Sequence, residues 1–236
     1  MNLVLLFDED FLDEGNRVRL TGRRLVHVRD VHRAGEGDVM RVGRLGGLVG
    51  HGRITRLDES LLEMEVELDA PPPPPLDVEL MLALPRPPVL RRVLIAATSM
   101  GVKRIVLLNA SAVEKSYWQS HALQAEAIQA QLVLGLEQAR DTLLPEVLLR
   151  RRFRPFVEDE LPTLLGERGG WIAHPGQSAV GLAAGARPGL IAVGPESGWS
   201  DFEVDRLQSA GLSAVGLGLR PLRVETAVPA LLAHLL

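Results

Sequence analysis

The chain has 236 residues, is 46% hydrophobic, carries a formal net charge of −4 and contains no cysteine. That content supports a real core and excludes a disordered chain. The missing cysteines exclude a disulfide framework and any thiolate metal site, and the charge argues against a histone-like nucleic-acid binder.

In chain order, "MNLVLLFDEDF" comes first and is too short and too acidic for a signal peptide. No apolar run approaches the roughly 20 residues that span a bilayer, so a cytoplasmic protein with no membrane attachment is expected. Residues 15–56 then carry ten arginines against three acids, and residues 57–80 carry eight acids and no base. An arginine-rich segment suits bidentate phosphate contacts; it equally suits a genome of biased base composition. Within it and just after it, "RVRLTG", "DVMRVG", "GLVGHGRI" and "LLEMEVEL" read as short strands separated by turns. "EMEVEL" alternates with period two, as a half-buried strand does. These strands predict a small β-barrel over residues 1–70. Pro71 to Pro75 form an extended spacer, and a second domain is expected over 76–236.

Beyond the prolines, strands alternate with helices. "VELMLAL" reads as a strand. Val89, Val93, Ala97 and Met100 recur at helical spacing and stop at Gly101. "RIVLL" is the next strand. Ser116 with Gln119 three residues on predicts a capping box, and Trp118, Ala122, Ala125, Ile128, Leu132 and Leu136 continue one helical face. "GWIAH", "GLIAVG" and "LSAVGLG" are compact strands that each follow glycine. Ser200 and Glu203 predict another capping box, with Gly211 as the matching stop. The alternation implies an α/β domain with a largely parallel sheet.

Two glycine-rich loops follow late strands, "GPESGWS" at 194–200 and "GLGLRPLRVETA" at 216–227. In open parallel sheets, ligands sit outside the carboxyl ends of strands, and glycine there lets a backbone approach a ligand closely. The second loop lacks the third glycine of a dinucleotide fingerprint, having Pro221 in its place. No phosphate-binding Walker loop, H-E-x-x-H spacing or G-x-S-x-G elbow occurs. "AVPALLAHLL" reads as a terminal helix, with Thr226 as its cap and Pro229 in its first turn, where proline costs little. Glu196 and Glu225 then have two readings: site carboxylates, or carboxylates that satisfy loop amides near a helix N-terminus.

"GPESGWSDFE" followed by "LGLRPLRVETA" resembles the paired signature of the bacterial 16S rRNA uridine-N3 methyltransferases, of the knotted SPOUT superfamily. "EQARDTLLPEV", with Glu137, Gln138, Arg140 and Pro145, and "HVRDVHRAGEGDVMRVG" are similar to two further stretches of that family. The resemblance spans nearly the whole chain. It departs from the family pattern at Ser197, where the family has glycine, and at Val224, where threonine is common.

The resemblance implies a PUA-like barrel followed by an α/β domain with a C-terminal trefoil knot, acting as a homodimer. It implies S-adenosylmethionine as the cofactor, with no metal, and 16S rRNA of the small ribosomal subunit as substrate. The cofactor residues it points to are His174, Gly194, Pro195, Glu196, Gly198, Leu217, Gly218, Arg220, Leu222, Thr226 and Ala227. Uracil N3 must lose a proton before it is nucleophilic. Arg223 is the candidate for stabilising the resulting charge and Glu225 for accepting the proton or positioning the base; the alternative is a salt bridge between them that braces the loop. Arg17, Arg19, Arg23, Arg24, Arg29 and Arg33 are the candidate RNA-phosphate contacts. Two alternative functions remain: a related methyltransferase acting on another RNA, and a non-catalytic RNA-binding assembly factor.

Overall fold

The computed structural model describes residues 2–12, 15–174, 180–181, 185 and 187–236. Its contacts divide the chain into two units. Met1–Pro74 groups with Val133–Leu144, and Pro75–Leu132 groups with Pro145–Leu236. The return of 133–144 to the first unit is not foreshadowed by the expected 76–236 domain.

The first unit holds β1 (Val4–Leu6), β2 (Arg17–Leu20), α1 (Gly22–Val26), β3 (Val39–Arg44), β4 (Val49–Leu57) and β5 (Leu62–Ala70). They form one sheet in the order β1-β3-β4-β5-β2, in which only the β1–β3 pair is parallel. The period-two pattern of β5 is realised: Leu62, Met64 and Val66 are buried, while Glu65 and Glu67 face water. Alternation also lets β1 serve two clusters. Val4 and Leu6 pack with Val18, Leu20 and Ile54, while Leu3 and Leu5 pack with Val133 and Leu136. The strands of the expected barrel are therefore present as a single sheet. Among the described residues no ladder joins its outer strands β1 and β2, which are only 3 and 4 residues long.

The second unit continues with β6 (Glu79–Ala83), α2 (Pro87–Ser99), β7 (Arg104–Leu108), α3 (Ala125–Ala139, grouping with the first unit from Val133) and β8 (Glu146–Arg150). A helical turn α4 (Phe153–Pro155) leads through a π-turn into α5 (Leu161–Leu165). Then come β9 (Gly170–Ala173), β10 (Val180–Gly181), β11 (Leu190–Val193), α6 (Asp201–Ser209), β12 (Leu212–Gly216) and α7 (Val224–Ala233). The sheet order is β10-β12-β9-β11-β6-β7-β8, and every pair in it is parallel. Its central strands are unbroken apolar runs, as a sheet covered on both faces requires. Leu80, Leu82, Ile105, Leu107, Ile172 and Ile191 are all fully buried, each side chain stabilising the fold by about 1.5–3 kcal/mol.

Helix α2 follows its signals. Pro87 and Pro88 occupy its first turn, where a missing N–H is harmless, and Gly101 turns the chain at φ 89°. The helix expected from Ser116 does not form. Lys115–Gln119 and His121–Leu123 are 3₁₀ turns, and the α-helix begins only at Ala125. The cause is an anchor: the Trp118 indole N–H donates to Asn109 Oδ1 at 2.7 Å and holds the buried ring at the end of β7. Ser120, not Ser116, accepts a backbone N–H, from Ala122 at 3.2 Å.

Candidate functional site

β9, β11 and β12 lie side by side and end together, with Val193 and Val215 both in register with Ala173. Beyond their carboxyl ends is a cavity of about 270 Å³, the place where open parallel sheets hold ligands. It is lined by the ends of these strands, by both glycine-rich loops and by the start of α7.

The first loop is a turn closed by the Gly198 N–H donating to the Pro195 carbonyl at 2.8 Å. Gly198 takes the left-handed backbone, φ 86°, whereas Ser197 does not; the serine in place of the family glycine therefore costs no backbone strain. Gly194 is needed for a different reason. A Cβ there would lie 3.1 Å from the backbone nitrogen and Cδ1 of Trp199. The loop ends in the predicted capping box. The Ser200 N–H donates to Glu203 Oε2 at 2.9 Å, and Ser200 Oγ accepts from the Glu203 N–H at 3.4 Å. The buried Glu203 carboxylate also accepts from the Ser111 N–H at 2.7 Å, tying the loop to the end of β7.

The second loop turns at Gly218, φ 99°, and presents Leu219 wholly to solvent. It ends at Arg223, which caps α7 through its carbonyl; this accepts from the Thr226 and Ala227 N–H groups at 2.9 and 2.8 Å. Thr226 is therefore the third helical residue and not the cap. The Arg223 side chain makes no cap bond of its own. Pro229 correspondingly sits at the sixth helical position, outside the first turn.

Of the residues proposed for the cofactor, His174, Gly194, Pro195, Glu196, Gly198, Leu217, Gly218, Arg220, Leu222 and Ala227 line the cavity; Thr226 does not. Arg223 and Glu225 also lie outside the lining. Two groups stand out chemically. His174 Nδ1 is buried without a hydrogen-bond partner among the described residues. Arg220 is exposed at the wall and makes no ion pair among them. Sequence reasoning missed the apolar strand ends Ala173, Val193 and Val215; Ser197, Gly216, Pro221 and Val224 also line the cavity and lie in the two loops it singled out. The rule that ligands gather at strand ends could have found the first three.

Sequence reasoning also missed Arg92. Its Nη2 donates to Glu225 Oε1 at 3.0 Å from α2. The Glu225 carboxyl is held below the usual carboxylate range by its own backbone N–H, then by Arg92, with Arg223 adding a smaller pull. The partner of Glu225 is thus Arg92 and not Arg223, which makes no hydrogen-bonded ion pair among the described residues. A further contact reaches the first loop, where Glu196 Oε1 accepts from the Arg86 N–H at 3.4 Å.

The arginines proposed for RNA lie in the first unit. Arg23 pairs through both terminal nitrogens with the buried Glu137, each at 2.9 Å. Arg24 pairs with both oxygens of the buried Asp10 and donates to the Leu5 carbonyl at 2.8 Å. Arg19 pairs across the sheet with Glu63, and Arg29 with its neighbour Asp30. Arg17 is exposed on β2 in register with Glu65. Arg33 is exposed on left-handed backbone, φ 53°.

Among the described residues no group of three or more His, Asp or Glu could hold a metal ion, and no helix is long and apolar enough to cross a membrane.

Residues 72–236 match the family model for an RNA methyltransferase domain. The chain is 30% identical over 242 residues to the ribosomal RNA small subunit methyltransferase E of Treponema pallidum (strain Nichols), covering 100% of this chain and 91% of that protein. The fold is similar to that of the ribosomal RNA small subunit methyltransferase E of Neisseria gonorrhoeae, a structure bound to S-adenosyl methionine. That match has a TM-score of 0.74, 21% identity, and coverage of 98% of this chain and 95% of the other. It is similar also to a Legionella pneumophila structure in complex with the same cofactor, with a TM-score of 0.75, 20% identity, and 100% and 97% coverage.

Proposed function

From the premise that this chain belongs to the RNA methyltransferase domain family, we propose that it methylates small-subunit rRNA from S-adenosylmethionine, at N3 of a uridine. The observation that carries the reading is the cavity at the carboxyl ends of β9, β11 and β12, walled by both signature loops. The proposal includes a PUA-like first unit, a C-terminal trefoil knot, a homodimer and a cytoplasmic setting, each suggested by the family resemblance.

The residues present suit the cofactor. Val193, Val215, Leu217 and Leu222 offer apolar wall for a heterocycle. His174 Nδ1 is a buried polar atom in need of a partner. The Arg220 guanidinium is suited to a carboxylate. Thr226, Arg223 and Glu225 flank this wall at the mouth of α7. When bound, S-adenosylmethionine supplies an electrophilic methyl group on a sulfonium, chemistry that needs no metal.

The chain's own part concerns the target base. Deprotonated N3 spreads negative charge onto its flanking carbonyl oxygens, and a guanidinium aimed at those oxygens stabilises that charge. We give Arg223 this role on the family resemblance and on its place as the cap of α7, between the lining residues Leu222 and Val224. The Arg92–Glu225 pair supports a positioning role for Glu225. The Arg92 pair, at 3.0 Å, steadies the helix mouth that carries Arg223. The N3 edge is the pairing edge, so the target uridine must be single-stranded or turned out of its helix.

The test is incubation with labelled S-adenosylmethionine and small ribosomal subunits lacking the modification, followed by nucleoside analysis. Label in 3-methyluridine is expected. Label in another nucleoside, or none above a heat-killed control, rejects the assignment.

A further inference from the structure

We infer that the second unit carries its own RNA-phosphate contact surface, formed by Arg151 and Arg152 at the carboxyl end of the outer strand β8; this rests on the RNA-methyltransferase reading above. The stretch "LRRRFRP", 149–155, places four arginines within 150–154. Two of them are neutralised nearby: Arg150 pairs with Glu160 and Arg154 with Glu158, each at 2.7 Å. The other two are not. Arg152 is exposed and makes no ion pair among the described residues. Arg151 is exposed too, but fixed in place. Its guanidinium carbon lies 5.1 Å from the centre of the Trp118 ring, and its Nη2 donates to the Trp118 carbonyl at 3.2 Å. The indole is itself held by Asn109. A guanidinium stacked on a fixed ring loses little freedom when its remaining N–H groups take a phosphate.

The position of the pair gives the surface its use. The Asn109 N–H donates to the Arg150 carbonyl at 2.9 Å, so Arg151 and Arg152 leave the carboxyl end of β8. That is the edge of the sheet on which the cavity opens. The next residue, Phe153, has its ring 6.1 Å from that of Trp199, which packs against Gly194 of the cavity wall. RNA that continues from a uridine turned into the cavity can run along this edge, where two guanidinium groups stand without carboxylates. The cations of the first unit contrast with this, since Arg23 and Arg24 already engage buried carboxylates.

The test uses the full chain and a labelled oligouridylate of roughly 20 nucleotides, titrated by anisotropy over a range of salt. Arg152→Ala is expected to weaken binding by about 3–10-fold at low salt and to lower the slope of log K against log salt by about 0.7, the share of one phosphate contact on a single strand. Arg154→Ala, whose side chain is already paired, is expected to change neither. In turnover assays with unmodified small-subunit RNA, Arg152→Ala should raise KM with kcat nearly kept, and S-adenosylmethionine affinity should hold. Unchanged oligouridylate affinity and slope in Arg152→Ala overturns the inference. So does loss of polyglutamate binding with oligouridylate binding intact, which identifies an acidic-protein surface. Wild-type protein that binds oligouridylate but never transfers methyl to rRNA defeats the functional reading instead, and the salt titration still decides the surface.

Discussion

Two sets of arginines, one from each unit, stand in different surroundings. In the first unit Arg23 and Arg24 end on Glu137 and Asp10, both buried. In the second, Arg152, Arg220 and Arg223 are exposed at the sheet's carboxyl edge with no ion pair among the described residues. The first set holds polar groups that would otherwise be stranded in a core; the second, on the proposals above, offers its charge to a ligand. A count of basic residues along the sequence cannot tell these apart. The discriminating quantity is whether a carboxylate already faces the guanidinium.

The most severe way to break this comparison is to remove a brace. Arg24→Ala leaves Asp10 buried without its cation, and a loss of about 3–5 kcal/mol is expected in chemical denaturation. A loss below about 0.5 kcal/mol, the scale of an ordinary surface change, would mean that Arg24 is available for other work. Replacing both partners, Arg24→Met with Asp10→Leu, should recover most of the stability, because an apolar pair strands no charge.

Next in size is the charge held ready. Arg223→Lys keeps the cation but loses the planar fork. A fall in kcat of about 10²-fold is expected, with S-adenosylmethionine affinity within a few-fold in calorimetry. Large loss of that affinity with near-normal turnover at saturation would make Arg223 a brace like Arg24.

Glu225 provides a smaller test with a pH signature. Its folded carboxyl lies below its ordinary value of 4.5, so the carboxylate stabilises the fold above that value and ceases to as pH falls through the lowered one. The stability gap between wild type and Glu225→Gln, at most about 1 kcal/mol for so exposed a partner as Arg92, should be complete at neutral pH and close in acid. A gap that widens in acid would reverse the sign. Smallest of all is Arg19→Ala. Its cross-strand pair with Glu63 is exposed to solvent, and about 0.5 kcal/mol is expected, fading at high salt.

Much of the second unit was legible because its signals are local. A capping box needs only Ser200 and Glu203; a helix stop needs only Gly101. The cavity loops were legible for a related reason, since glycine after an apolar strand marks a strand end. Where reading failed, a distant partner decided in most places. Asn109 held Trp118 and suppressed the helix expected at Ser116. At α7 the failure was local: the Arg223 carbonyl takes the Thr226 and Ala227 N–H groups, and Thr226 is the third helical residue. Arg23 met Glu137 across 114 positions of chain, a separation no periodicity spans. Val133–Leu144 joined the first unit because Val133 and Leu136 cover Leu3 and Leu5, whereas along the chain α3 reads as one helix like any other.

That last grouping bears on how the protein is made. Synthesis runs from the N-terminus, and domains generally fold as their residues emerge. Val4, Leu6, Val18 and Ile54 can find one another as soon as β5 is complete, since all belong to 1–74. Leu3 and Leu5 cannot; their cover arrives with Val133 and Leu136, after β6, α2 and β7 have been added. Leu3 and Leu5, made before the rest of the first unit's core, are therefore covered after it. Nascent chains halted at Pro74 should expose an apolar strand face and recruit hydrophobic-binding chaperones, and chains long enough to release Leu144 should shed them.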